Sequence, residues 1–225
     1  VFVFPILAQR TLGFTAYETG LTLLAPTMIT VVMMPIIGKT MSKGVSPIPF
    51  VVVGFLLFAA YAWMSANLSP DVGKGDFFLP LALRAVGISM VQLPLINQAV
   101  AGLAPKDYAS GIALNNMIRQ LGGAFGIALA NNYIARQYAQ HRYDLVSKVT
   151  GESQMFLERS NTLTQGFITR SGDVAGASNK ALATINAIID RQSYYLSYLD
   201  TFRLPALFFV IVIPLVVFLR VKKKS

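Results

Sequence analysis

Long stretches without charge constrain this sequence more than any other feature. Four stretches contain no Asp, Glu, Lys or Arg, and a fifth contains one arginine: residues 20–38, 45–70, 85–105, 204–219 and 108–135. A bilayer core about 30 Å thick needs roughly 20 apolar residues of helix to cross it. Only 13% of the residues are charged, whereas soluble domains average about 25%. The sequence therefore predicts an all-α fold, a polytopic membrane helix bundle.

Five complete spans are expected, near residues 19–38, 48–67, 77–103, 109–134 and 202–220. The opening VFVFPILAQR is apolar but too short to cross a bilayer, so we interpret it as the end of a further helix and the chain as a fragment. Three regions follow: transmembrane helices over 1–134, an extracytoplasmic amphipathic helical loop over 135–201, and the last transmembrane helix with a basic cytoplasmic tail over 202–225.

Lysine and arginine in the short loops predict the orientation, because basic residues accumulate on the cytoplasmic side. Lys39, Lys43, Lys106 and the basic residues of 220–224 all fall on one side of an alternating topology. The C-terminus is then cytoplasmic. The net charge of +9 is explained by this tail, and no nucleic-acid partner is expected.

The outer segment has an amphipathic pattern of its own. A seam of apolar residues at 3-4 spacing predicts a helix over 179–200: Leu182, Ile185, Ile189, Leu196 and Leu199. Shorter amphipathic pieces precede it, and SGDVAGAS predicts a turn. Two roles fit this seam. It packs as a cap on the outer ends of the chain's own spans, or it forms a docking surface for a partner helix or second copy.

One stripe of the span 109–134 carries its unusual residues. At 100° per residue, an arc of about 80° contains Gly111, Asn115, Arg119, Gly122 and Gly126. Small residues allow close helix packing, and we assign that role to these glycines and to Gly123. A charge at mid-membrane must face protein or water, so Arg119 is expected to face the interior of a bundle.

The preceding span carries a weaker polar stripe with Arg84 and Gln92. The candidates for a substrate or coupling pathway are Arg84, Gln92, Asn115, Asn116 and Arg119. Two alternatives stay open, since Arg84 could extend to the membrane interface and Arg119 could be a packing arginine bonded to amides or carbonyls.

No catalytic or metal-binding motif is found in the sequence. His141, the single histidine, is interpreted as a surface residue, and there is no G-x-S-x-G, phosphate loop or histidine cluster. We therefore expect no enzyme, no metal site and no cofactor. None of the acidic residues lies well inside a span, so membrane carboxylates that pair with the arginines would lie outside this chain.

Several separated motifs resemble one transporter family. The order of LAQRTLGFTAYETG, LRAVGISMVQLPLINQAV, NNMIRQLGGAFG and RQSYYLSYLDTF is similar to the C-terminal part of the fourteen-span drug:proton antiporters of the major facilitator superfamily, EmrB/QacA type. GKTMSKG resembles a degenerate copy of the superfamily's cytoplasmic loop motif, with Gly38, Lys43 and Gly44 in place and Ser42 where an acid is usual.

The resemblance implies a proton-coupled multidrug exporter that works by alternating access on hydrophobic, often cationic compounds. It implies a bacterial inner membrane, proton-binding carboxylates in an absent N-terminal half, and a periplasmic adaptor protein as a further partner. The alternatives are an exporter of one metabolite or siderophore, and a membrane anchor whose outer segment is the functional module.

Overall fold

The computed structural model describes residues 3–69, 74–149, 153–172 and 174–218. Seven α-helices lie within these ranges: α1 Val3–Arg10, α2 Ala16–Ser42, α3 Pro47–Ala66, α4 Phe78–Val100, α5 Tyr108–Val146, α6 Gln154–Ser171 and α7 Val174–Phe218. Short 3₁₀ turns, Lys74–Phe77 and Pro105–Asp107, precede α4 and α5. The predicted basic tail at 220–224 lies outside the described residues.

Four helices in the described ranges, α2, α3, α4 and α7, are long and apolar enough to cross a membrane. This finding confirms the prediction of a polytopic helical membrane protein. Helix α5 is not among the four, because asparagines, glutamines and Arg119 interrupt its apolar residues. Its assignment as a span over 109–134 stays a prediction.

Local sequence signals explain where several helices begin and end. Thr15 and Glu18 form a capping box at the start of α2, with bonds of 3.2 Å and 2.9 Å between each side chain and the other residue's backbone N–H. Helix α6 ends at Gly172, whose φ of 65° is the left-handed conformation that glycine adopts most readily. The predicted turn at 171–178 is therefore too long, since α7 begins at Val174.

Helices α5 and α7 are far longer than the thickness of a bilayer core. Helix α5 has 39 residues and α7 has 45, about 58 Å and 67 Å at 1.5 Å per residue. Both run without a break across the boundaries that the sequence places at 134 and 201. Residues 135–201 are thus built largely from the end of α5 and the first part of α7, and their assignment as an extracytoplasmic loop remains a prediction.

The core lies where α1, α3, α4, α5 and α7 meet. Its largest fully buried side chains include Leu7, Leu81 and Tyr198. Helix α7 presents Ser193, Ser197 and Thr201, each at most 4% exposed, on this packed face. The predicted seam is not the most buried face of α7, because Leu182 is 45% exposed.

Two glycines set a close contact between α3 and α4. A Cβ added at Gly54 of α3 would lie 2.9 Å from the carbonyl oxygen of Gly87 in α4, and the reverse distance is also 2.9 Å. The absence of side chains at both positions lets the two backbones approach, as small residues do in membrane helix pairs. This crossing fixes the position of Arg84, one turn before Gly87.

Candidate functional site

Arg84 lies buried between α3 and α4 and is only 8% exposed. Its Nε atom has no hydrogen-bond partner among the described residues. The guanidinium carbon lies 6.0 Å from the centre of the Tyr61 ring, which is itself buried. A cation–π contact therefore offsets part of the desolvation cost of this charge. The structure does not support an extension of the Arg84 side chain into solvent.

Arg119 lies on the first half of α5 and is exposed in this chain. Its Nη2 atom donates to Asn116 Oδ1 at 3.1 Å, one turn earlier on the same helix. Asn115 is half-buried, as is Gln92 on α4. In the described part of the chain, no hydrogen bond joins Arg84 or Gln92 to the polar residues of α5. The two predicted polar stripes therefore remain separate here.

The first half of α5 is largely uncovered by this chain. A Cβ added at Gly122, Gly123 or Gly126 would meet nothing within 4 Å, while one at Gly111 would meet the side chains of nearby residues. Phe125 is 74% exposed, so the apolar faces are uncovered as well. The proposed packing role of these glycines stays a prediction that requires a surface from outside this chain.

The loop motif lies at the end of α2. Gly38 lies within the helix, where an added Cβ would make an ordinary 3.6 Å contact with Leu93. Lys43 is exposed, and Gly44 has a φ of 86° while its N–H donates to Met41 O at 3.0 Å. Gly44 therefore has a conformational reason to be glycine, and a functional role for the motif stays a prediction.

A polar network that no sequence motif indicates joins the C-terminal half of α5 to the N-terminal half of α7. Arg142 Nε donates to Asp190 Oδ1 at 2.7 Å, and the Tyr138 hydroxyl donates to the same oxygen at 3.0 Å. Asp190 lies well before the apolar stretch that begins at Leu204, on the polar part of α7. The hydrogen bond from Arg142 lowers the pKa of the Asp190 carboxyl below its usual value.

A second cluster includes His141, which the sequence analysis interpreted as a surface residue. His141 Nε2 lies 2.7 Å from Asp200 Oδ2, and these side chains are 25% and 14% exposed. Gln137 and Arg203 also bond the Asp200 carboxylate, at 3.1 Å and 2.8 Å. That interpretation was therefore wrong. The 59-residue separation of His141 and Asp200 hides their contact from any local pattern.

Two cavities lie along the contact of α1, α5 and α7. The tyrosine cavity, of about 340 Å³, is lined by Arg10, Asn131 and three tyrosines among other residues. The aromatic cavity, of about 410 Å³, is lined mainly by apolar residues of α3, α5 and α7. Within the described residues, no group of three or more His, Cys, Asp or Glu side chains is placed to hold a metal ion.

Comparison with known proteins identifies several relatives of this chain. The chain is 25% identical over 226 residues to the uncharacterized MFS-type transporter YhcA of Bacillus subtilis (strain 168), a match that covers 100% of the chain and 42% of the relative. It is 25% identical to the probable multidrug resistance protein EmrY of Escherichia coli (strain K12), covering 97% of the chain and 41% of the relative. It is 24% identical to the fatty acid resistance protein FarB of Neisseria gonorrhoeae, covering 94% and 40%.

The chain thus spans about two fifths of the length of these curated relatives. Residues 1–127 match the family model described as Major Facilitator Superfamily. That match covers more than half of the 225 residues. It agrees with the apolar helices of the structure, and the family consists of transporters rather than enzymes. The chain therefore belongs to the major facilitator superfamily.

Proposed function

We propose that this chain forms part of a proton-coupled multidrug exporter that expels hydrophobic or cationic compounds by alternating access. The observation that carries the proposal is the uncovered face of α5, where Arg119 and Asn116 are bonded to each other and, within the described ranges, to no other helix. A charge at membrane depth is too costly to face lipid. This face therefore suits a second helical bundle and the water-filled path between the two.

The relatives' names agree with this proposal. EmrY is named as a probable multidrug resistance protein and FarB as a fatty acid resistance protein. In the described ranges, neither Arg84 nor Arg119 forms a salt bridge with a carboxylate. The acids that bind the proton, and the rest of the substrate path, would then belong to a further bundle that rocks against this one.

Further features of the sequence support the rest of the proposal. The predicted topology places the C-terminus in the cytoplasm of a bacterium with an inner membrane. A periplasmic adaptor protein would dock on the outer parts of α5, α6 and α7. An exporter of one dedicated metabolite is the second candidate, because FarB bears the name of a single compound class.

Substitution of Arg119 tests the proposal. The complete gene product would be reconstituted in vesicles with an imposed pH gradient, and ethidium transport would be measured for the parent and for Arg119→Gln. We expect normal abundance but a transport rate lowered about tenfold or more, or a shifted pH profile, because the charge favours ionisation of an acid within about 4–6 Å. Lys106→Gln, in the loop before α5, serves as the charge-matched control.

Normal transport with an unchanged pH profile in well-folded Arg119→Gln protein would contradict a pathway role for Arg119. A parent protein that transports ethidium equally well without a pH gradient would contradict proton coupling. A parent that transports only one of several unrelated hydrophobic cations would favour the dedicated exporter.

A further inference from the structure

The tyrosine cavity and the aromatic cavity are aligned along the same three helices. On α1 they are lined by Ile6 and Val3, respectively, and on α5 by Ile134 and Ala130. On α7, Tyr198 lines the first cavity and Thr201 the second. Residues three or four apart lie on one face of a helix. The two cavities therefore lie next to each other along these helices, and we call the pair the slot, with a polar end at the tyrosine cavity and an apolar end at the aromatic cavity.

The slot has the dimensions of an extended chain molecule. It runs from Tyr138 to Gly126 along α5, which is about 18 Å at 1.5 Å per residue. The apolar end is lined by Phe58, Leu129, Phe202 and Phe209. Rings and aliphatic groups of this kind favour a hydrocarbon over a polar ligand.

The polar end carries the positive charge of Arg10, which pairs with no carboxylate of the described residues. Arg10 Cζ lies 5.8 Å from the centre of the Tyr194 ring, and in the described part of the chain Arg10 forms no salt bridge. Tyr138 stacks on Tyr194 with ring centres 4.1 Å apart. The nearby Asp190 carboxylate is already paired with Arg142 at 2.7 Å. The polar end is therefore suited to an anion.

We propose that this slot binds an anionic amphiphile with one acyl chain, such as a long-chain fatty acid. Its carboxylate lies against Arg10, and its chain extends among the phenylalanines of the aromatic cavity. At about 410 Å³, that cavity is near the lower end of the roughly 300–1,000 Å³ typical of ligand pockets. This volume favours one chain over the two of a phospholipid. The proposal is separate from the efflux proposed above, since it rests on Arg10 and on the lining of the two cavities rather than on Arg84 or Arg119, although Tyr61 both lines the aromatic cavity and contacts Arg84.

Photo-crosslinking tests the polar end. The complete gene product, in a non-ionic detergent, would be labelled with a diazirine derivative of palmitate, and labelled peptides would be located by mass spectrometry. We expect labels in the stretches of α5 and α7 that line the aromatic cavity. Arg10→Gln should weaken labelling about tenfold, the loss of one charge-assisted hydrogen bond. Arg136→Gln is the control, because Arg136 is exposed and lines neither cavity.

Substitution of two glycines, Gly126 and Gly123, tests the apolar end. An added Cβ meets nothing within 4 Å at Gly126 or at Gly123, but only Gly126 lines the aromatic cavity. Gly126→Leu should therefore reduce labelling several-fold, and Gly123→Leu should not. The thermal transition of each variant shows whether it is folded, and if Arg10→Gln is unfolded, the glycine pair decides.

Competition identifies the ligand. Unlabelled palmitate should displace the probe, whereas its methyl ester and phosphatidylglycerol should compete at least tenfold less well. Equal competition by the methyl ester would overturn the role of Arg10. Competition by phosphatidylglycerol alone would overturn the single-chain assignment, and labelling unchanged in both folded Arg10→Gln and Gly126→Leu would overturn the site.

Discussion

Burial of the Arg84 side chain carries a free-energy cost for folding. The residue is 8% exposed, its Nε has no acceptor in the described part of the chain, and its guanidinium carbon lies 6.0 Å from the centre of the Tyr61 ring. Burial of a charge that is not fully hydrogen-bonded costs several kcal/mol, and a cation–π contact returns about 0.5–2 kcal/mol. A residue retained at such a net cost is a candidate for function.

Replacement of Arg84 by an apolar side chain separates stability from activity. We expect Arg84→Met to unfold at the same temperature or higher, because replacement of a buried ionic group by a well-packed apolar one is often neutral or stabilising. Transport should fall about tenfold or more if Arg84 serves the pathway. Arg84→Lys keeps the charge and serves as the control. A lower melting temperature with normal transport per molecule would identify Arg84 as structural.

At the scale of whole helices, the clearest feature is the crossing of α3 and α4. Gly54 and Gly87 let the two backbones approach so closely that any side chain there would meet a carbonyl oxygen. The same crossing brings Arg84 against Tyr61. The packing of two helices and the burial of a candidate functional residue thus depend on one pair of glycines.

An alanine at this crossing should separate the helices. Gly87→Ala places a Cβ 2.9 Å from Gly54 O and 3.3 Å from Leu57 Cβ, and overpacking of this kind costs about 1–3 kcal/mol. Gly20→Ala is the matched control, because its Cβ meets nothing within 4 Å and alanine favours a helix by about 0.5–1 kcal/mol. Thermal unfolding in detergent should rank Gly20→Ala at or above the parent and Gly87→Ala below it. Equal melting temperatures would show that the crossing can relax.

At the scale of the whole molecule, the orientation predicted for this bundle in the membrane rests on its charges. The loop between α2 and α3 contains Lys43, and the segment between α6 and α7 lies toward the opposite end of the adjacent helices in the predicted topology. Ser42 and Ser178 are both exposed. The chain contains no cysteine, so a single introduced thiol reports its own location.

Thiol labelling in intact cells checks this topology. Ser178→Cys should react with a membrane-impermeant maleimide added outside, and Ser42→Cys should react only after the cells are permeabilised. The parent chain is the blank for labelling at these two positions. Reaction of Ser42→Cys in intact cells would reverse the orientation and place the 153–172 segment in the cytoplasm.

Local sequence was sufficient for several parts of this structure. The spans near 19–38, 48–67 and 77–103 were recognisable as helices because a bilayer requires uninterrupted apolar residues and internally satisfied backbone groups. The capping residues Thr15 and Glu18 and the αL glycine at 172 act within a few residues, so they also could be predicted from sequence. The motifs around Arg84 and Arg119 indicated a transporter of the major facilitator superfamily, and the match of residues 1–127 confirms that superfamily.

Only the tertiary structure decided which helix faces meet. The crossing of Gly54 with Gly87, the burial of Arg84, the bond between His141 and Asp200, and the packed serine face of α7 each join residues whose contact no local pattern specifies. In water, an apolar stripe indicates the packed face of a helix. In a membrane, lipid-facing and protein-facing surfaces are both apolar, so close contact between helices depends on small side chains and on shape. The sequence by itself therefore determined which segments are helices and that they lie in a membrane rather than in water. The packing of complementary helix surfaces determined which residues meet at the candidate site.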